Sequence, residues 1–228
     1  MNDFVARLGR LDTCAVSDAL DKLGLTGSVT GLTRYSTERR IAGRVLTVTL
    51  SPAEGRTSLT GAQSAPPVTR HLCTGAIEAA QPGDVIVVEQ RTGIDAASWG
   101  GNLSIGAQMR GVAGVIVEGP ARDIDDSRRL EFPVFARSHT ARTARGRIVE
   151  TASGDPITVG DVTVRQGEYV VADGSGAVFV AESDIERVLE AAEAIVQREE
   201  AMAAALREGK PISQVMGANY EHMLKKQA

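Results

Sequence analysis

An arginine and an aspartate stand side by side at Arg122 and Asp123, after an apolar run and the turn EGPA. A guanidinium can hold a carboxylate or enolate oxygen through two parallel hydrogen bonds, and Mg²⁺ often takes only one or two protein carboxylates and keeps several waters. Open α/β sheets bind ligands beyond the carboxyl ends of their strands, where this pair is expected. The alternative is a surface ion pair, and these residues alone do not separate the two.

A glycine pair, Gly100 and Gly101, precedes Asn102 and Leu103 at the predicted start of a helix. Free backbone amides and the positive end of the helix dipole can bind an anion at such a start. The segment has neither a P-loop nor a GxGxxG motif, so a small carboxylate is favoured over a nucleotide, and a methyltransferase is disfavoured. Taken alone, a glycine pair is more often a plain turn.

Two further acids and three histidines are weaker candidates. Asp125 and Asp126 could support the site through outer contacts, although we favour a role in capping the next helix. His71, His139 and His222 have no spacing typical of a zinc site or a Ser-His-Asp arrangement. His139 could contact a substrate, but a structural or solvent role is favoured.

The cysteines and the tryptophan are expected to be packing residues. Cys14 and Cys73 are too few for a disulfide framework and lie in no metal-ligand spacing, so we expect both to be buried. Trp99 is expected to pack at the glycine loop.

The lysines bear on whether the protein could form a Schiff base with a carbonyl substrate. No lysine occurs between Lys22 and Lys210, so none is near Arg122 in sequence. A Schiff-base mechanism is therefore disfavoured, although folding could bring Lys22 close.

The segments around the glycine pair and Arg122 predict a strand, a helix and a second strand, in that order. The sequence PGDVIVVEQ predicts a turn and a buried strand, WGGNLSIGAQMRG a helix that starts at the glycines, and GVAGVIVEG a second buried strand. This order is typical of a parallel crossover unit.

Other segments indicate a mixed sheet with flanking helices. A short helix is predicted with Thr13 or Ser17 as its cap and Gly24 as its end, and a strand begins at Ile41. Residues 51–63 are polar and predict a loop or a helix start.

Farther along the chain, short strands follow, with a tight hairpin at Asp-Gly-Ser-Gly. An amphipathic helix is predicted from the capping residue Ser183 to about Leu206.

Composition excludes several classes of protein. The 228 residues carry a formal net charge of -4 and are 43% hydrophobic and 24% charged, as in ordinary soluble globular proteins. The sequence lacks the clusters of positive charge that would predict a nucleic-acid partner. None of its apolar runs approaches the about 20 residues that span a membrane. Because the first residues also lack the plan of a signal peptide, we expect a cytoplasmic protein.

The chain resembles the RraA-like family, which includes class II 4-hydroxy-4-methyl-2-oxoglutarate / 4-carboxy-4-hydroxy-2-oxoadipate aldolases and the ribonuclease E regulator RraA. The resemblance rests on WGGNLSIGAQMRGVAGVIVEGPARD, supported by SDALDKLG, IAGRVLTV, PGDVIVVE and VVADGSGAVFV. It implies an α/β fold of layered β/β/α mixed sheets, similar to swivelling domains, with flanking helices and a long C-terminal helix. We expect a catalytic core at residues 1–182 and a helical extension at residues 183–228.

The resemblance also implies roles for individual residues. It makes Asp123 the metal ligand and Arg122 the contact to the pyruvyl unit, so both are expected to be catalytic. Gly101, Asn102 and Leu103 are expected to bind the substrate at the helix start. The similar aldolases carry an acid twenty-one residues before the arginine, which orients metal-bound water; this chain has Gly101 there, so that role has no counterpart at this position. The regulator lacks an acid after its arginine, whereas this chain keeps Asp123.

These roles predict a metal-dependent lyase. We expect Mg²⁺ or Mn²⁺ as cofactor, a small 4-hydroxy-2-oxo acid as substrate, and retro-aldol cleavage to pyruvate through an enolate. Since no side-chain base is evident, water activated by the cation is expected to take the hydroxyl proton. Oxaloacetate decarboxylation at the same site and a non-catalytic protein-binding regulator are the alternatives. Family analogy suggests a homotrimer or a hexamer.

Overall fold

The computed structural model describes residues 3–53 and 71–217. Its helices, in chain order, are α1 (Asp3–Leu8), α2 (Thr13–Leu23), α3 (Thr74–Ala79), α4 (Gly101–Met109), α5 (Ile124–Arg129), α6 (Ile185–Arg207) and α7 (Ile212–Val215). Its strands are β1 (Ser28–Val29), β2 (Thr33–Arg34), β3 (Ile41–Pro52), β4 (Val85–Glu89), β5 (Gly114–Ala121), β6 (Val134–His139), β7 (Ile148–Ser153), β8 (Ile157–Val159), β9 (Val162–Val164), β10 (Tyr169–Asp173) and β11 (Gly176–Val180).

A mixed sheet runs through the molecule in the order β1-β11-β10-β3-β4-β5-β6-β2. Strands β3, β4, β5 and β6 are parallel neighbours, whereas β10 joins β3 and β2 joins β6 in antiparallel pairs. Strand β7 pairs with the end of β3, and β8 and β9 form a separate ribbon. The predicted crossover from β4 through α4 to the parallel strand β5 is confirmed.

The central strands are buried on both faces, which explains their continuous apolar sequences. Alternate residues of β4 enter different cores: Ile86 and Val88 pack with residues of α3 and α4, while Val85 and Val87 pack with residues of β8 to β11. Helices therefore cover one face of the parallel strands and further strands cover the other. This confirms the predicted mixed α/β class.

Helix α2 ends at Gly24, as predicted, where the backbone is left-handed with φ at 67°. Its cap differs from the prediction, because the Asp12 side chain, rather than Thr13 or Ser17, accepts the amide of the third helical residue. The amide and hydroxyl of Thr13 instead donate to the two carboxylate oxygens of Asp173, at 3.0 and 2.6 Å. This contact ties the start of α2 to the end of β10.

The two cysteines differ in exposure. Cys73 is buried, as expected, but the expectation for Cys14 is wrong because its side chain is exposed. Helix α2 turns Ala15, Val16 and Ala19 into the core, and position 14 falls on the opposite, solvent side of the helix.

The C-terminal part largely follows the sequence prediction. Strands β10 and β11 form the expected hairpin, in which Asp173 pairs with Gly176. Helix α6 begins at Ile185, with Asp184 rather than Ser183 at the cap position, and its apolar side packs in one core with α1 and α2. The division of the chain at residue 182 stays a prediction.

Two predictions fall wholly or mostly beyond the described residues. Residues 51 and 52 belong to β3, and the rest of the predicted polar loop at residues 51–63 lies almost wholly outside, as does His222. Among the helices that the structure does describe, none combines the length and the apolar character needed to cross a membrane.

Candidate active site

The end of β5 holds the segment that leads into α4. The amide of Arg122 donates to the carbonyl of Trp99 at 2.9 Å, and Trp99 and Ala121 form an isolated parallel bridge. The amide of Ser98 donates to the carbonyl of Pro120, also at 2.9 Å. These backbone bonds bring the glycine pair against the residues that follow β5, although about twenty positions separate them in sequence.

The Asp123 carboxylate lies between the arginine and the helix start. Its Oδ1 is 3.2 Å from Nε of Arg122, and its Oδ2 accepts the amide of Gly101 at 3.0 Å. The Arg122 and Asp123 side chains are 36% and 34% exposed, so both remain open to a ligand. Arg122, Asp123 and the glycine loop, predicted from separate segments, therefore come together at one strand end.

Gly100 and Gly101 lie very close to the side chains of the site. A β-carbon on Gly100 would lie 2.9 Å from Oδ2 of Asp123 and 3.2 Å from Cγ of Arg122. A β-carbon on Gly101 would lie 3.0 Å from Oδ2 of Asp126. Since φ of Gly100 is -153°, its backbone is open to any residue, and a larger residue would instead require the side chains of Asp123 and Arg122 to shift.

The first amides of α4 are not equivalent. The amide of Gly101 is engaged by Asp123, so its expected role in substrate binding stays a prediction. Those of Asn102 and Leu103 have no acceptor within residues 3–53 and 71–217, as is usual in a first helical turn. These two N–H groups are the ones available to a carboxylate.

Asp123 occupies an unusual backbone position. With φ at 55° and ψ at 41° it is left-handed, which costs a residue with a side chain of order 1–3 kcal/mol. It stands at the cap position of α5, yet its side chain makes no capping hydrogen bond there. The carboxylate is instead turned toward Gly101 and Arg122.

The two acids of the next helix do not cap it, so that expectation is wrong. Asp125 and Asp126 lie in the first turn of α5, two and three positions beyond the cap, and pair with arginines of the last turn. Asp125 accepts from Arg128 at 3.0 Å, and Oδ1 of Asp126 accepts from Arg129. The remaining oxygen of Asp126 faces Gly101.

Buried side chains fix α4 relative to α5. Trp99 is 1% exposed and stacks on Phe132, which confirms that it packs at the glycine loop. Its indole N–H donates to the Ser104 hydroxyl at 2.9 Å, and the hydroxyls of Ser104 and Ser127 share a hydrogen bond at 3.2 Å. Ser104 and Ser127 are fully buried, so this polar chain is shielded from water.

None of the hydrogen bonds given above involves a described histidine or lysine, although His139 pairs with Ala121, the residue before Arg122, between β6 and β5. His139 is exposed and packs edge-on against Tyr35, with ring centroids 5.3 Å apart. Lys22 lines a groove with α6, and Lys210 pairs with Glu208 beyond the end of α6. Neither lysine within the described ranges stands on an element that forms the site, which disfavours a Schiff base.

A family model described as Aldolase/RraA matches residues 13–179. The chain belongs to the RraA-like family. An RraA-like relative from Halalkalibacterium halodurans, named "Putative 4-hydroxy-4-methyl-2-oxoglutarate aldolase", is 29% identical, and the match covers 83% of this chain and 82% of that protein. Protein DlpA of Legionella pneumophila is 24% identical over 94% of this chain, which spans only 33% of DlpA.

A solved structure shares the RraA-like fold closely. The crystal structure of an uncharacterized protein from Pseudomonas syringae pv. tomato matches with a TM-score of 0.81 at 27% identity. The match covers 94% of this chain and 96% of that one. The layered fold therefore extends over nearly the whole chain.

The RraA-like resemblance implied an acid at position 101, and the geometry accounts for the glycine there. A side chain on Gly101 would begin 3.2 Å from Cβ of Asp126 and 3.4 Å from Cβ of Asp123. The Asp126 carboxylate thus occupies the space that a side chain of residue 101 would enter. Sequence reasoning weighed Asp126 as an outer contact; only the fold indicates how near it comes.

The donor set around Asp123 fits a hard divalent cation. Within the described ranges, no three His, Cys, Asp or Glu side chains are grouped so that they could hold a metal ion. Mg²⁺ keeps several waters and accepts one or two carboxylates, whereas structural zinc takes four protein ligands. The partly exposed Asp123 carboxylate therefore suits the predicted Mg²⁺ or Mn²⁺, whose binding stays a prediction.

Proposed function

We propose that this RraA-like protein is a divalent-metal-dependent lyase that cleaves a 4-hydroxy-2-oxo acid to pyruvate by a retro-aldol reaction. The observation that carries the proposal is the placement of the Asp123 carboxylate between the Arg122 guanidinium and the amide end of α4. Membership in the family and the name of the Halalkalibacterium halodurans relative support an aldolase or RraA-type function.

The groups of the site could stabilise an enolate in three ways. Cleavage leaves negative charge on the pyruvyl fragment, and a cation held by Asp123 would withdraw electrons from the 2-oxo group. Arg122 can donate two hydrogen bonds to the carboxylate and to the developing enolate oxygen. The amides of Asn102 and Leu103 can hold the same carboxylate at the positive end of α4.

The ion pair between Arg122 and Asp123 does not by itself explain the left-handed backbone of Asp123. An exposed ion pair contributes about 0–1 kcal/mol, and this one joins adjacent residues that are about one-third exposed. The left-handed conformation of Asp123 costs as much or more, of order 1–3 kcal/mol. The carboxylate does not cap α5; its hydrogen bond to the Gly101 amide, of about 1.5–3 kcal/mol, can offset this cost and holds the carboxylate at the amide end of α4.

Two other activities remain distinguishable by assay. Decarboxylation of oxaloacetate gives the same enolate, so we expect it as a side reaction of the same site. A RraA-type regulator that acts by binding another protein would release no pyruvate from any 2-oxo acid.

The test follows pyruvate release from 4-hydroxy-4-methyl-2-oxoglutarate with Mg²⁺ or Mn²⁺ and with a chelator. We expect turnover that chelation removes, at least a 1000-fold loss (~4 kcal/mol) in Asp123→Asn, and a raised KM with a lowered kcat in Arg122→Ala. Asp125→Asn is the matched control, since it removes the same charge from an acid whose ion-pair partner among the described residues is Arg128. Absence of turnover in the wild type, or full activity in Asp123→Asn, refutes the proposal.

A further inference from the structure

Retro-aldol cleavage needs a proton acceptor as well as an electron sink. As the C3–C4 bond breaks, its electron pair enters the enolate, the C4–O bond becomes a carbonyl, and the hydroxyl proton must leave the oxygen. The enolate later takes up one proton to give pyruvate, so the acceptor returns to its starting state. A positioned carboxylate commonly performs such a transfer and contributes about 10²–10⁴-fold to the rate.

Of the two carboxylates beside Gly101, Asp123 is already engaged through both oxygens. Its Oδ1 is bonded to Arg122 and its Oδ2 to the amide of Gly101. Asp126 is engaged through Oδ1 alone, by Arg129, and its Oδ2 has no donor within the part of the chain that the structure describes. Oδ2 of Asp126 is therefore the carboxylate oxygen free to accept a proton at this site.

Two neighbours place the Asp126 carboxylate beside the first turn of α4. Arg129 holds Oδ1 from the last turn of the same helix, and Oδ2 lies 3.0 Å from where a β-carbon of Gly101 would be. With 48% of its side chain exposed, Asp126 is accessible to a bound molecule. The missing side chain at position 101 leaves the space that this carboxylate fills beside the first turn of α4.

We infer that Asp126 is a catalytic residue that accepts the 4-hydroxyl proton of the substrate. The inference rests on the proposed function and adds to it the group that handles the proton. It distinguishes the two reactions of the site, because oxaloacetate has no 4-hydroxyl group and its decarboxylation requires no such acceptor. Asp126 is thus needed for cleavage and is dispensable for decarboxylation.

The experiment compares Asp126→Asn with Asp125→Asn, which removes the same charge from the neighbouring position of α5. Each variant is assayed for pyruvate release from 4-hydroxy-4-methyl-2-oxoglutarate and from oxaloacetate with Mn²⁺. Calorimetric binding of oxalate, a mimic of the pyruvate enolate, is the readout that does not depend on turnover. We expect Asp126→Asn to lower kcat for cleavage about 100-fold or more and to leave decarboxylation and oxalate affinity within about threefold.

The outcomes separate this inference from the proposed function. If cleavage by Asp126→Asn equals that of Asp125→Asn, or if both reactions and oxalate binding fall together, Asp126 is not the acceptor. If the wild type releases no pyruvate from 4-hydroxy-4-methyl-2-oxoglutarate, the proposed function itself fails, whether or not oxaloacetate is decarboxylated. Selective loss of cleavage with intact oxalate binding supports the inference, since a structural defect at α5 would affect all three measurements.

Discussion

Replacing Gly100 with alanine adds one methyl group at the narrowest point of the site. The new carbon would lie 2.9 Å from Oδ2 of Asp123, whereas non-bonded heavy atoms pack best at about 3.5 Å. A retreat of about 0.5 Å lengthens the bond between this oxygen and the Gly101 amide from 3.0 Å to near the limit of a hydrogen bond. Losing a hydrogen bond to a charged group costs about 1.5–3 kcal/mol.

At about 1.4 kcal/mol per decade, this loss predicts a roughly 10- to 100-fold lower kcat/KM in Gly100→Ala. The free energy of unfolding should fall by a similar amount, because this bond is present in the folded protein without substrate, although φ at -153° itself suits alanine. Gly106→Ala is the matched control: it lies on the same helix, and its added carbon would be an ordinary 3.7 Å from Ile77. Pyruvate release and urea unfolding are measured for both variants. Equal kcat/KM in the two, with both folded, would mean that the glycine loop does not hold the carboxylate.

Two further predictions concern groups outside the site. Burial alone would raise the pKa of Asp173, but hydrogen bonds from Thr13 and Ser175 and the charge of Arg40 outweigh it and lower that pKa. The ionised carboxylate therefore stabilises the fold above its unfolded pKa of about 3.9, and this is lost as the pH falls through the lower folded value. Asp173→Asn should be less stable than wild type at pH 7 in urea unfolding, with the gap closing below about pH 4; a constant gap would contradict the linkage. Burial, and then the charge of Glu150, raises the pKa of Cys73, so a thiol reagent at pH 8 should label only Cys14 in the folded protein and both cysteines in denaturant. Rapid native labelling of Cys73 would contradict its burial.

The parts of the fold that local sequence specifies could be predicted. The apolar runs of β4 and β5, with the glycine-started helix between them, imply a parallel crossover, because strands buried on both faces lack polar alternation. The Asp-Gly-Ser-Gly sequence that ends at Gly176 is typical of a tight turn, and it predicted the hairpin that β10 and β11 form. From these elements alone, Arg122 and Asp123 were expected at a strand end, where they lie.

Contacts between distant segments could not be predicted in this way. The cap of α2 was expected at Thr13 or Ser17, but Thr13 binds Asp173, a partner 160 positions away, and Asp12 caps the helix instead. Cys14 was expected to be buried from its residue type, whereas the apolar spacing of α2 decides which side faces the core. Asp126 was assigned to capping from its place near the start of a helix. Its nearness to Gly101 could not be predicted, because it depends on how α4 and α5 pack.

The packing of α4 against α5 also explains how the carboxylates of Asp123 and Asp126 come to lie beside the same residue of α4. The buried chain from Trp99 through Ser104 to Ser127 fixes the two helix starts relative to each other. Because these hydroxyls are shielded from water, leaving one unpaired would cost about 1–3 kcal/mol, which favours a single arrangement. With the backbones fixed in this way, the side chains of Asp123, at the cap position of α5, and of Asp126, in its first turn, both reach Gly101, and glycine at that position leaves room for both.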